Sequence, residues 1–184
     1  MRIIAGKAKG MKLTSRPGQS TRPTGDRVKE ALFNILGPNI QGCSFLDLYA
    51  GSGAIGLEAL SRGAEEVIWV DADPACTSQI RANLEKTRLT DGQIITKDVQ
   101  RALGQLERQG DRFDYIFLDP PYEQGLVHQT LELPSLLAIL KGDGIIIAEA
   151  SKKEEAPIDV SNLRLKREQR YGDTILLFYE PRRS

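Results

Sequence analysis

The run Asp119-Pro120-Pro121-Tyr122 places an acid, two rigid prolines and an aromatic ring directly after the apolar segment 113–118. Each proline fixes φ and prevents a helix from starting at once, so the run is predicted to form a stiff turn at the end of a strand. Such a turn can simply be rigid, with Asp119 as a cap. It can also present a carboxylate and a backbone carbonyl that accept both N–H bonds of an exocyclic base amine and orient its nitrogen for attack on a sulfonium methyl group. With Tyr122 stacked on the base, Asp119, Pro120 and Tyr122 are the predicted catalytic residues.

A glycine-rich loop with the pattern Gly51-x-Gly53-x-x-Gly56 follows the first predicted strand. Glycines allow a tight turn and a close approach of the backbone to a ligand. Asp71 lies 20 residues after Gly51, where an acid can accept hydrogen bonds from both hydroxyls of a ribose. These features indicate an adenosine-containing cofactor, either NAD or S-adenosylmethionine. Asp47 favours the second, because a carboxylate suits the amino group of a methionine moiety and would repel a pyrophosphate.

Asp98 follows the third predicted strand and leaves two interpretations open. It can accept a hydrogen bond from the adenine amino group, with the backbone N–H of Val99 nearby, or it can cap the helix that follows. The predicted cofactor-binding residues are Asp47, Tyr49, Ala50, Gly51, Ser52, Gly53, Asp71, Ala72, Asp98 and Val99.

The elements that must position these residues alternate along the chain. Strand-like runs lie at 44–49, 66–70, 93–96, 113–118 and 144–148, and helix-like segments lie near 26–36, 54–62, 74–88, 99–109 and 126–140. This alternation predicts an α/β, Rossmann-like fold with a mostly parallel seven-stranded sheet and helices on both faces. The last two of the seven strands, 163–170 and 174–180, form a predicted antiparallel hairpin around Tyr171-Gly172-Asp173.

Charge is distributed unevenly, although the net charge is zero. Residues 1–30 carry eight basic and two acidic side chains, so they hold a charge of +6 and the remainder holds −6. Such asymmetry predicts a polyanion-binding segment. We therefore divide the chain into a basic, polyanion-binding extension, 1–25, which forms a small hairpin around Gly6 and Gly10, and a catalytic domain, 26–184. The predicted polyanion-binding residues are Arg2, Lys7, Lys9, Lys12, Arg16, Arg22 and Arg27.

Composition excludes several other classes of protein. The chain has 184 residues and only two cysteines, with no CxxC pair and no His/Cys cluster, which argues against a zinc site and a disulfide framework. The start of the chain lacks the apolar core of a signal peptide, and no apolar run is long enough to span a bilayer. We expect a cytoplasmic monomer without a metal ion.

Alternative functions remain open at this point. An adenine-N6 or other base-amine methyltransferase would use the same cofactor, as would a protein-glutamine methyltransferase, although the latter favours an amide in place of Asp119. The glycine pattern also permits a small NAD-dependent oxidoreductase, which would need a catalytic Tyr/Lys or His set that does not stand out. A non-catalytic RNA-binding chaperone would need only the basic extension.

The order and spacing of these motifs resemble those of class I S-adenosylmethionine-dependent methyltransferases. The matching positions are Asp47, Gly51-Ser52-Gly53, Asp71, Asp98 and Asp119-Pro120-Pro121-Tyr122. Many relatives carry Glu where this chain has Asp71, and either carboxylate can reach a ribose.

More narrowly, the chain resembles the RsmD family of bacterial ribosomal RNA guanine-N2 methyltransferases over essentially its whole length. The resemblance rests on the basic start Arg2-Ile3-Ile4-Ala5-Gly6, on Arg22-Pro23-Thr24, on the run from Asp26 to Asn34 and on the turn Tyr171-Gly172-Asp173-Thr174. It implies methyl transfer to the N2 amino group of a guanine in 16S ribosomal RNA, within the small ribosomal subunit or its assembly intermediate. It also implies that the polyanion bound by the basic extension is RNA, so that the seven basic residues given above are the predicted RNA-binding residues.

Overall fold

The computed structural model describes residues 1–15, 23–122, 124–153, 159–160 and 162–182. The helices are α1 (Pro23–Leu36), α2 (Ala54–Ser61), α3 (Pro74–Thr87), α4 (Val99–Gln109), α5 (Leu126–Leu131) and α6 (Pro134–Ala138). The strands are β1 (Ser44–Leu48), β2 (Glu66–Asp71), β3 (Gly92–Thr96), β4 (Phe113–Leu118), β5 (Leu140–Ser151), β6 (Asp159–Val160), β7 (Leu163–Tyr171) and β8 (Thr174–Pro181). No helix within these ranges is long and apolar enough to cross a membrane.

All strands belong to one sheet, in the order β3-β2-β1-β4-β5-β8-β7-β6. The first five are parallel neighbours, and the last three pair antiparallel. The predicted α/β fold and its C-terminal hairpin are confirmed, and the two-residue edge strand β6 adds an eighth strand to the seven predicted. The strand order reverses between β1 and β4, which is where open α/β sheets bind their ligands.

Helices cover both faces of the sheet, because the apolar side chains of the central strands alternate between two cores. In β1, Leu46 and Leu48 pack with α4, α5 and α6. Phe45 packs on the opposite face, with α1, α2 and the start of the chain. Trp69 of β2 is fully buried on that second face. The sheet thus forms the middle of three layers and fixes the ends of β1, β2, β4 and β5 relative to one another.

The prediction of one continuous helix over 126–140 is wrong. The structure has two short helices there, α5 and α6, and Leu140 already belongs to β5. Pro134 is the cause, because it has no N–H to continue a helix and disfavours helical backbone at the residue before it. Leu133 is accordingly extended, at φ −70° and ψ 120°. Proline is tolerated in the first turn of a helix, and α6 begins at Pro134. For the same reason α1 begins at Pro23, three residues before the predicted start at residue 26.

Residues 1–15 form the predicted hairpin and dock on α2. Ile3 N–H donates to the Met11 carbonyl at 3.0 Å, and Gly10 N–H donates to the Ile3 carbonyl at 2.8 Å. Gly6 has a φ of 84°, and a Cβ at this position would overlap the Ser61 carbonyl oxygen. Ile3, Ala8 and Leu13 of the hairpin are buried in the same core as α1 and α2.

A buried ion-pair network lies beneath this hairpin. Glu58 of α2 is fully buried and accepts from the backbone N–H groups of Ile4 at 2.8 Å and Ala5 at 3.0 Å. Its carboxylate also lies 3.4 Å from Lys29 Nζ and 2.7 Å from Arg62 Nε. Lys29 is itself only 1% exposed and donates to the Arg2 carbonyl. The network therefore joins the hairpin, α1 and α2 through the buried charges of Glu58 and Lys29.

Candidate active site

The loop between β1 and α2 has an unusual backbone. Tyr49 adopts a φ of 58°, a conformation that costs a non-glycine residue about 1–3 kcal/mol and that clusters at functional sites. Gly51 and Gly53 have φ values of 53° and 76°, which explains their residue type. Gly53 provides no side-chain cap for α2. The N–H groups at the start of α2 are thus available to an anionic ligand group, except that of Gly56, which donates to Asp47.

The buried side chain of Trp69 holds the glycine loop in place. Its Nε1–H donates to the Gly53 carbonyl at 3.2 Å. A Cβ on Gly56 would overlap the Trp69 indole, so the third glycine of the pattern is required for packing of α2 against β2. Trp69 is therefore both a buried core residue and a support of the loop.

Asp71 holds the other side of the loop. Its Oδ2 accepts from Gly51 N–H at 2.8 Å, and its Oδ1 accepts from Asp73 N–H at 2.9 Å. Each carboxylate oxygen has a second lone pair, so Asp71 can still accept from the hydroxyls of a ribose. The side chain lies at the carboxyl end of β2, half-buried, next to the exposed Ala72.

A cavity of about 300 Å³ opens beside Ala72, large enough for a purine ring. The lining residues are Tyr49, Ala72, Asp98, Val99, Gln100, Leu126, Gln129, Thr130 and Leu133. Four of the predicted cofactor-binding residues, Tyr49, Ala72, Asp98 and Val99, thus lie together. The Tyr49 hydroxyl and Thr130 Oγ1 are hydrogen-bonded at 2.8 Å, which closes one wall.

Asp98 caps α4, the structural alternative that its position had left open. Its Oδ1 accepts from Arg101 N–H at 3.0 Å, and its Oδ2 lies 3.4 Å from Arg101 Nε. Half of the side chain remains exposed at the cavity. Capping and hydrogen bonding to an adenine are therefore compatible at this position.

Asp47 lies beneath the loop and is only 2% exposed. Its Oδ2 accepts from Gly56 N–H at 3.0 Å, which positions the start of α2. Burial raises the pKa of Asp47 to about 8, against the effect of that hydrogen bond, and the negative charge of Asp71 adds to the rise. A buried acid of this kind is stabilised in its charged form by a cationic group nearby, as expected of a site for a methionine ammonium.

Asp119, Tyr122 and Glu149 form a cluster at the carboxyl ends of β4 and β5. Leu118 pairs with Ala148 in the parallel register, so the next residues, Asp119 and Glu149, are neighbours. The Tyr122 hydroxyl donates to Glu149 Oε1 at 2.8 Å, and 41% of the tyrosine remains exposed. The predicted catalytic turn thus presents an acid and an accessible ring, as expected, together with a second acid from the adjacent strand.

The two carboxyl groups of this cluster have raised pKa values. Asp119 is an exposed residue, but surrounding protein atoms shield part of its carboxylate from water. This desolvation, followed by the negative charges of Glu149 and Asp47, raises the pKa of Asp119 well above the usual range. Burial raises the pKa of Glu149, and the Tyr122 hydroxyl acts against this rise. Burial, followed by the charges of Glu149 and Asp119, raises the pKa of Tyr122. Both acids of the cluster therefore hold a proton more readily than ordinary carboxyl groups do.

The predicted RNA-binding residues divide into two groups. Exposed side chains are found at Arg2, Lys7, Lys9, Lys12 and Arg27. Arg16 and Arg22 lie outside the described residues. Lys29, which contributed to the charge count of this region, is buried against Glu58 and is not part of the surface.

Three polar residues at the site were not found from the sequence. Thr130 is hydrogen-bonded to Tyr49, Glu149 to Tyr122, and Asn83 of α3 to the glycine loop. Each contact joins segments 27 or more residues apart, so spacing within one motif carries no signal for it. The one available signal was the acid Glu149 directly after an apolar strand, the same pattern that identified Asp119.

Asn83 connects the hairpin to the glycine loop. Fully buried, it accepts from Thr14 N–H at 2.9 Å and donates to the carbonyls of Thr14 at 3.0 Å and Ser52 at 3.1 Å. We expect Asn83→Ala to lower the free energy of unfolding by about 1–3 kcal/mol and to weaken cofactor binding severalfold, because Ser52 loses its support. Urea unfolding and calorimetric titration measure the two effects. Lys86→Ala on the exposed side of α3 is the control, and unchanged cofactor affinity in Asn83→Ala would show that the loop does not depend on Asn83.

Comparison with known proteins agrees with this geometry. A family model described as "Conserved hypothetical protein 95" matches residues 1–180. YlbH of Bacillus subtilis is 42% identical over 183 residues, covering 99% of this chain and 100% of YlbH. Ribosomal RNA small subunit methyltransferase D of Escherichia coli is 34% identical over 180 residues, covering 98% and 89% of the two chains. The solved structure of yhhF from Escherichia coli superimposes with a TM-score of 0.83 at 33% identity, covering 100% and 99%.

The sheet order and the glycine loop at its switch point define a class I methyltransferase fold. The family match and the relatives make the assignment narrower: the chain belongs to the RsmD family of S-adenosylmethionine-dependent methyltransferases. The predicted family and the predicted cofactor are confirmed, which favours S-adenosylmethionine over the NAD that the glycine pattern also permitted.

Proposed function

We propose that this chain transfers a methyl group to the N2 amino group of a guanine in small-subunit ribosomal RNA. The observation that carries the proposal is the position of Asp119, at the carboxyl end of β4 and next to the loop of β1. The names of its relatives support ribosomal RNA as the substrate class, since the Escherichia coli relative is a ribosomal RNA small subunit methyltransferase.

The residues present fit the cofactor. Asp71 would hold the ribose hydroxyls, and the cavity beside Ala72 and Val99 would take the adenine. Asp47 would offset the positive charge of the methionine amino group, and the N–H groups at the start of α2 other than that of Gly56 would bind the methionine carboxylate. S-adenosylmethionine supplies a methyl group bonded to a positively charged sulfur.

Asp119 and the Pro120 carbonyl would prepare the nucleophile. The lone pair of an exocyclic amine is delocalised into the base, and two acceptors on its N–H bonds favour the pyramidal nitrogen needed for attack. As the new N–C bond forms, the methyl–sulfur bond breaks and its electron pair stays on the sulfur, which leaves as a neutral thioether. The nitrogen must then lose one proton, and the Asp119 carboxylate would accept it. Tyr122 would hold the ring by stacking, which requires that the base be exposed or flipped out of its helix.

The exposed cations of the hairpin would bind the RNA backbone. Arg2, Lys7, Lys9 and Lys12 share a segment that is fixed on α2 rather than separate from the domain. Contacts of this type position a nucleic acid through its phosphates without reading its sequence. We propose the same role for Arg27, which is exposed on α1.

Labelled methyl transfer to ribosomal RNA tests the proposal. The purified protein is incubated with labelled S-adenosylmethionine and with RNA or ribosomal particles from cells that lack the gene. We expect incorporation into small-subunit RNA and background levels in large-subunit RNA. The same RNA from cells that retain the gene is the control, because its target is already methylated. The proposal would be contradicted if large-subunit RNA, and small-subunit RNA from cells that retain the gene, were labelled as strongly as small-subunit RNA from cells that lack it.

The pH dependence should reflect the raised pKa values of Asp119 and Glu149. Only the deprotonated carboxylate accepts both the N–H bond and the proton, so we expect kcat/KM to rise with pH and to level off once Asp119 is ionised. The midpoint should lie above the ordinary aspartate range. Removing the charge of Glu149 by Glu149→Gln should move it to lower pH. Rates at saturating cofactor across pH 5–9 would reveal this shift, and a flat profile would show that neither carboxyl titrates in the reaction.

A further inference from the structure

Glu149 lies between the two residues that the proposed function assigns to the substrate base, Asp119 and Tyr122. Side chains alternate along a strand, so Glu149 shares a sheet face with Ile147, on the side where α1 and α2 pack. The parallel register brings it next to Asp119, and its half-buried carboxylate accepts from the hydroxyl of the accessible Tyr122. Any base that stacks on Tyr122 and reaches Asp119 therefore meets Glu149 as well.

Guanine differs from adenine and cytosine, the other two bases with an exocyclic amine, at the ring nitrogen next to the amino-bearing carbon. In guanine, the N1–H donor stands beside the N2 amine, so the edge offers adjacent donors. In adenine and cytosine, the ring nitrogen beside the amine is an acceptor. A second acceptor next to Asp119 would attract the guanine edge and would place two acceptors against each other with either of the other bases.

We propose that Glu149 is the specificity-determining residue of the site and accepts the N1–H of the target guanine while Asp119 accepts from its N2 amine. This inference rests on the proposed function. It assigns to Glu149 the choice among bases and leaves to Asp119 the activation of the nitrogen.

A purely structural role for Glu149 makes a different prediction. If the residue only held the Tyr122 ring in place, removing the tyrosine hydroxyl would have the same effect as removing the Glu149 charge, since one hydrogen bond joins them. If Glu149 reads the base, then Tyr122→Phe keeps the preference for guanine, because the acceptor remains.

The test compares guanine with 2-aminopurine, which keeps the N2 amine and has an acceptor in place of N1–H. Small-subunit particles are reconstituted with either base at the mapped target position, and kcat/KM is measured for the wild type, Glu149→Gln and Tyr122→Phe. We expect the wild type and Tyr122→Phe to prefer guanine by about tenfold to a hundredfold, the usual effect of a hydrogen bond to a charged group. Glu149→Gln should reduce this ratio to near one, because an amide can also donate to the N1 acceptor.

Each outcome is decisive. An unchanged ratio in Glu149→Gln overturns the inference, as does an equal loss of preference in Tyr122→Phe, which would make Glu149 a positioning residue for the ring. Failure of the proposed function is distinguishable, because the wild type would then yield no N2-methylguanosine from the unmodified particle. Circular dichroism spectra of the three proteins should coincide, and a Glu149→Ala variant that folds normally with the full guanine preference would also overturn the inference.

Discussion

Asp119→Ala is expected to lower the rate of methyl transfer by about a hundredfold to a thousandfold, the usual loss on removal of one pre-oriented partner of a reacting group. The carboxylate lies at the end of β4, where it would orient the amine and accept its proton. Cofactor affinity should change little, because the loop is held instead by Asp71, Trp69 and Asn83. Single-turnover rates and calorimetric titration separate the two quantities.

Two further variants sharpen this prediction. Asp119→Asn keeps one oxygen acceptor but cannot take the proton, so its rate should fall between those of the wild type and Asp119→Ala. Asp143→Ala removes an exposed acid from β5 and should retain the wild-type rate. Retained activity in Asp119→Ala would refute the proposed role of this residue.

Glu58→Gln is expected to lower the free energy of unfolding by about 3–5 kcal/mol, because it leaves Lys29 charged, buried and without its main partner. Burial already lowers the pKa of Lys29, and the charge of Glu58 is the largest effect against this. The hairpin should also loosen, since Ile4 and Ala5 donate to the same carboxylate. Urea unfolding measures the first effect, and protease cleavage near the start of the chain measures the second.

The controls for Glu58→Gln separate charge from packing. Glu65→Gln, on an exposed acid, should change stability by no more than about 0.5 kcal/mol. Adding Lys29→Met to Glu58→Gln removes the uncompensated charge and should restore part of the loss. If the single variant is as stable as the wild type, the network is not what fixes the hairpin on α2.

The sheet and the glycine loop could be predicted because their signals are local. Apolar runs ending in Asp47, Asp71 and Asp119 marked three strands together with the side chains at their carboxyl ends. The parallel arrangement then followed from the strand-helix alternation, and with it the meeting of those ends at one edge.

Contacts that depend on long-range register could not be predicted in this way. Glu149 becomes a neighbour of Asp119 only because β5 pairs with β4 at Leu118 and Ala148. The burial of Lys29 likewise depends on Glu58, which lies on another helix, and charge counting treated Lys29 as a surface cation. The break at Pro134 is different, since the known effect of proline on a helix would have been enough to predict it.

The most direct test of the central claim is the identity of the methylated nucleoside. Small-subunit ribosomal RNA or particles from cells lacking the gene are treated with the purified protein and S-adenosylmethionine, digested to nucleosides and analysed by mass spectrometry. The account predicts N2-methylguanosine from a single position, and about a hundredfold to a thousandfold less of it with Asp119→Ala over the same short reaction time. Methylated adenosine or cytidine in its place, or no methylated nucleoside at all from either RNA or particles, would contradict it.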